Sequence, residues 1–139
     1  MMTETNPEAT NPDEYNGWPN RETWAASLHL SNDYGLYTMV NNWAIDAHAE
    51  AVEEAELDEF GFYAGNVTTV ERTTVRLLAE KVEDYIDSIR IDIRDAARHP
   101  GFSRSETEVM MVLEIGSEWR VDWFHLAENW LDGLDFDDA

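Results

Sequence analysis

Apolar side chains recur at intervals of three and four along most of this chain, and the longest such register runs Val75, Leu78, Val82, Tyr85, Ile86, Ile89, Ile93 and Ala96. That period traces one face of an α-helix. It predicts a long helix that Thr68 or Thr69 can cap and that stops before His99-Pro100-Gly101. Upstream, Leu36, Val40, Trp43, Ala47 and Ala51 predict a helix from just after Asp33 to about Glu56. A shorter helix precedes it. Asn20 is a good N-cap, Glu22 lies in the first turn where the dipole favours negative charge, and Trp24, Leu28 and Ser31 share a face before Ser31-Asn32-Asp33 ends the helix.

Elsewhere the pattern is weaker. Phe60-Gly61-Phe62-Tyr63-Ala64-Gly65-Asn66 reads as a loop with aromatic plugs. Val109 to Leu113 is a continuous apolar run that periodicity cannot assign to helix or strand, although Ser105 as a cap with Glu106 and Glu108 behind it favours helix. Asp122 caps a last helix through Trp123, Leu126, Ala127, Trp130, Leu131 and Leu134. Residues 1–16 are polar and acidic with almost nothing to bury, and predict a disordered tail. With no two clear strands to pair, residues 17–139 predict a single compact all-α domain of about five helices.

Composition adds one large fact. Thirty carboxylates face eight arginines and a single lysine, Lys81, for a formal charge of −21. Such a surface repels nucleic acid and anionic membrane, so a partner is expected to be a basic protein surface. At 139 residues and 43% hydrophobic, the chain can bury an ordinary core. The absence of cysteine excludes disulfides and thiolate chemistry and makes the cytoplasm the expected compartment. No signal peptide or membrane span is legible. The six tryptophans are expected to pack: Trp24, Trp43, Trp123 and Trp130 on apolar helix faces, Trp18 and Trp119 as staples ahead of helices.

No catalytic, cofactor-binding or metal-ligating set emerges, and the chain is expected not to be an enzyme. His48-Ala49-Glu50 has the His-x-Glu of zinc deaminases without their thiolate ligands. Asp122 and His125, or His125 and Glu128, are three apart on the last helix and could touch one metal, but a capping aspartate beside a surface histidine is the better account. Neither a phosphate-cradling glycine loop nor a serine elbow is present.

The acids are unevenly placed. The stretch between Glu22 and Glu71 and the segment from Asp122 onward contain no lysine or arginine, whereas arginines and acids alternate along the long middle helix. On the second helix Asp46, Glu50, Glu53 and Glu54 fall on one stripe, which Asp58 and Glu59 extend. Successive turns put such carboxylates about 5–6 Å apart, within a small factor of the phosphate spacing of DNA. A rigid acidic stripe suits a mimic of duplex DNA that fills the basic groove of a nuclease or restriction complex. The competing explanation is salt: proteins of brines carry excess Asp and Glu and little lysine, since a Debye length of about 3 Å at molar salt removes self-repulsion.

The block Asn16-Gly17-Trp18-Pro19-Asn20-Arg21-Glu22-Thr23-Trp24, followed by Leu28-His29-Leu30-Ser31-Asn32-Asp33, resembles the opening of a family of small uncharacterised proteins of phages, plasmids and haloarchaea. The closing Val121-Asp122-Trp123-Phe124-His125-Leu126-Ala127-Glu128 looks like that family's last helix. The resemblance implies a virus or mobile-element context and no reaction. Within the block, Trp18 and Trp24 bracket the Asn20 cap and can pack across the first turn; exposed parts of Trp18, Asn20, Glu22 and Trp24 form a second candidate surface. The expected function is therefore non-enzymatic binding of a basic protein surface, in its sharpest form DNA-mimic inhibition of a restriction or CRISPR defence complex. The alternative is a salt-adapted structural or regulatory protein whose acids serve solubility.

Overall fold

The computed structural model describes residues 14–56, 67–98 and 104–134. Five helices follow in order: α1 Arg21–Asn32, α2 Tyr34–Glu56, α3 Val67–Asp95, α4 Glu106–Ile115 and α5 Trp123–Asp132, with single 3-10 turns at Ala96–Arg98 and Glu118–Arg120. No strand occurs among the described residues, and the class is all-α as the pattern requires. Residues 1–13, the aromatic segment 60–66, Asp58, Glu59 and His99-Pro100-Gly101 lie outside the described residues.

Helix α3 is the spine. Its apolar stripe of Leu78, Ala79, Val82, Ile86 and Ile89 is buried, with Val75, Tyr85 and Ile93 packed at its margin. Helices α2 and α5 pack along it and α4 crosses part of it, while α1 packs on α2 and α4. On α2 the buried line is Leu36, Val40, Ala44, Ala47, Ala51 and Ala55, so methyl groups face α3 over the second half of the helix. Small residues there let two long helices approach closely, the separation being set by the side chains at the contact. Trp43 sits half-buried beside that line, its ring edge-on to Tyr85 at 5.5 Å.

Local signals set most of the helix ends. Asp33 is extended and its carboxylate accepts the Leu36 N–H at 2.9 Å, closing α1 and opening α2 in one residue. Ser105 and Glu108 form a reciprocal capping box, which resolves the apolar run Val109–Leu113 as helix. Asp122 caps α5 through the His125 N–H at 2.9 Å. Helix α3 begins at Val67, so Thr68 and Thr69 lie inside it and do not stand at its cap.

Three further expectations are corrected. Helix α1 buries Thr23, Ala25, Ala26 and Leu30, whereas Trp24 and Leu28 are only half-buried and Ser31 is exposed. The helix packs against both α2 and α4. Within the stretch expected to be disordered, Tyr15 and Asn16 take a defined turn: Tyr15 and Trp18 exchange backbone hydrogen bonds at 2.9 and 2.8 Å across Asn16-Gly17, both at positive φ. That is the two-residue Asn-Gly reversal of tight hairpins. Finally, Trp119 is no staple, being 80% exposed.

Candidate functional site

The two surfaces that the sequence predicts differ in kind. The first is the opening block. Asn20 Oδ1 accepts both the N–H and the hydroxyl of Thr23, at 2.8 and 2.7 Å, while Asn20 Nδ2 donates to the Arg120 carbonyl at 2.7 Å. The buried Thr23 hydroxyl oxygen in turn accepts the Asp122 N–H at 2.9 Å, at the residue that caps α5. Arg21 donates to the Glu114 and Ile115 carbonyls at 2.9 and 3.0 Å, covering the free end of α4. Glu22 lies 3.4 Å from Arg120.

The rings of the block complete this seam. The reversal at Asn16-Gly17 sends the two tryptophans to different partners: Trp18 lies edge-on to His125 of α5 at 5.4 Å, and Trp24 meets Tyr15 at 4.8 Å. They do not stack on each other. The block thus joins the start of α1 to the end of α4 and the start of α5, residues about a hundred positions away in sequence. Asn20 and Glu22 both face inward to polar partners.

The second surface is the α2 stripe. Asp46, Glu50, Glu53 and Glu54 are all exposed, and Glu56 beside them is exposed too. They span about 12 Å of helix axis at about 1.5 Å per residue. Helix α2 contains no lysine or arginine, and among the described residues none of the four carboxylates has an ion pair. Asp58 and Glu59, the proposed continuation, lie outside the described residues.

Arginines compensate the acids elsewhere. Arg76 pairs with Glu80, Arg90 with Asp87 and Glu118, and Arg94 with Asp95. Arg104 gathers Asp92 at 2.7 Å, the Ser88 hydroxyl at 3.1 Å and Glu108 at 3.2 Å, tying α4 to α3. Burial alone would raise the Glu108 carboxyl, but hydrogen bonds from the Tyr85 hydroxyl and from Ser105, with Arg104 nearby, hold it below the ordinary range. Burial and the bond to Glu108 push the Tyr85 hydroxyl upward. Glu118 is raised, first by burial and then by the neighbouring Asp87. This network was not legible as a unit, because its members are scattered from Tyr85 to Glu108 over a turn whose path no pattern fixes.

Across residues 11–98 the chain matches DUF7249, a family of unknown function. The chain belongs to that family. The span matched by DUF7249 includes the Asn16–Trp24 block and all of α1 to α3, so both the seam's first half and the acidic stripe lie within it. The closing segment Val121–Glu128 lies beyond it. No curated protein and no solved structure matches the chain.

Among the described residues no group of three or more His, Asp or Glu side chains is placed to hold a metal ion. Asp122 is engaged as a cap and the His125 ring lies against Trp18. An open groove of about 560 Å³ lies between α3 and the start of α5, lined by Glu80, Glu83, Asp122 and Phe124 among others, without a nucleophile beside a base. No described helix is long and apolar enough to cross a membrane.

Proposed function

We propose that this member of DUF7249 is a non-enzymatic acidic binding protein that engages a basic protein surface through the outer face of α2. The observation that carries the reading is the state of Asp46, Glu50, Glu53 and Glu54: exposed, held at helical spacing and without an ion pair among the described residues, on a helix with no lysine or arginine. Like charges three and four residues apart on a helix repel. A basic partner would relieve that repulsion and would be steered toward the stripe over long range.

In its sharpest form the partner is a nucleic-acid-binding defence complex, of the restriction or CRISPR kind, whose phosphate groove the stripe fills; Asp58 and Glu59 would lengthen the row. The protein then acts in the cytoplasm of a host cell, as a product of a virus or mobile element. The test is pull-down from host lysate at physiological salt. Recovery of a nucleic-acid-binding protein supports the proposal, and recovery of none sinks it. Charge reversal by Asp46→Lys, Glu50→Lys, Glu53→Lys and Glu54→Lys should abolish the capture.

Salt adaptation is the second reading, favoured by the single lysine among 139 residues. It predicts loss of helix below about 1 M salt, where screening of the acids weakens. A DNA mimic must instead stay folded in dilute buffer.

A further inference from the structure

The apolar run Val109-Met110-Met111-Val112-Leu113 falls within one short helix. Five successive apolar residues cover every azimuth of a helix at about 100° per residue, so such a helix is expected to be buried all round. Helix α4 is not. Met111, Val112 and Ile115 point into the core, whereas Met110 and Leu113 stand 50% and 62% exposed on the opposite side. The exposed pair does nothing for the core, and nothing among the described residues covers it.

Charge says what would cover it. Glu106, Met110 and Glu114 are four residues apart in succession, so one line along α4 reads carboxylate, thioether, carboxylate, with Leu113 beside it. Glu106 and Glu114 are both exposed, and Glu114 also meets His29 of α1 at 2.6 Å. A second copy would bring a charge of −21 against −21, and an anionic membrane would be repelled in the same way. We infer that Met110 and Leu113, bracketed by Glu106 and Glu114, form a docking face for an amphipathic protein segment that offers an apolar strip flanked by lysine or arginine. The partner is basic, as for α2, but the residues are different and the apolar contact is the added element.

The test uses the full chain with methyl-labelled methionine and a synthetic helical peptide bearing leucines on one face and lysines on the flanks. The peptide should shift the Met110 methyl resonance and leave the buried Met111 far less affected. Met110→Ser and Leu113→Ser should each weaken binding by about tenfold while leaving the helical signal unchanged, since both side chains are largely outside the core. The variant with Asp46, Glu50, Glu53 and Glu54 changed to lysine should still show the Met110 shift, which separates this face from the α2 stripe. Three results would overturn the inference: an unmoved Met110 methyl, equal binding by a lysine peptide with alanine in place of leucine, or equal binding by a leucine peptide with glutamate flanks. A Met110 shift that grows with protein concentration alone would also overturn it, by making a second copy the occupant.

Discussion

The seam at the start of α1 and the outer face of α2 are both dense in polar side chains, yet they are built on opposite terms. In the seam Asn20, Arg21, Thr23 and Glu22 each have a partner on a distant element, and the Thr23 hydroxyl oxygen is buried. On α2 the four carboxylates have none among the described residues. Polar groups that are buried must be satisfied, and once satisfied they fix geometry. Exposed like charges only repel, and they contribute nothing to holding the helices together. The difference separates residues that make the fold from residues the fold leaves available.

The largest expected effect lies in the seam. Asn20→Ala removes a cap that accepts two bonds and donates a third, and should cost about 2 kcal/mol in urea denaturation. Thr23→Val, which keeps the shape but strands the Asp122 N–H, should cost about 1–2 kcal/mol by the same measurement. If either were silent, the block would not be a structural seam.

Next in size is the pH dependence of the α3–α4 network. Glu108 is held low, so its contribution is present above the ordinary glutamate value of about 4.3 and is lost as pH falls through its lowered folded value. Tyr85 is raised, so its contribution is present below the ordinary tyrosine value of about 10 and declines as pH rises above it. Glu108→Gln should flatten the acid limb of a stability profile, and Tyr85→Phe the alkaline limb.

The smallest effect belongs to α2. Asp46→Asn with Glu50→Gln, Glu53→Gln and Glu54→Gln should raise the melting temperature slightly in dilute buffer, and the gain should vanish in molar salt as screening takes over. A loss of stability would mean that these acids have structural partners after all.

Much of the fold was legible because its signals are local. The three-and-four spacing from Val75 to Ile93 became the buried stripe of α3, and Asn20, Ser105 and Asp122 cap as their positions indicate. What eluded the sequence depends on where distant elements meet. The inner face of α1 is such a case: Thr23 and Ala26 are buried on a helix that packs against both α2 and α4, and local spacing, which points to Trp24 and Leu28, does not report those neighbours. The Asn16-Gly17 reversal was missed although its dipeptide is a strong turn signal, because no strand pattern flanks it. The exposure of the α2 stripe followed from helical phase alone, whereas its lack of counter-charge depended on where every arginine of the folded chain came to rest.

The claim that the α2 carboxylates are free for a partner, and are not a response to brine, is tested most directly by far-UV circular dichroism of the full chain across a salt series. The account predicts an undiminished helical signal in dilute buffer, since the core and the seam hold the five helices without help from screening. Loss of that signal below about 1 M salt would contradict it and assign the acids to salt adaptation.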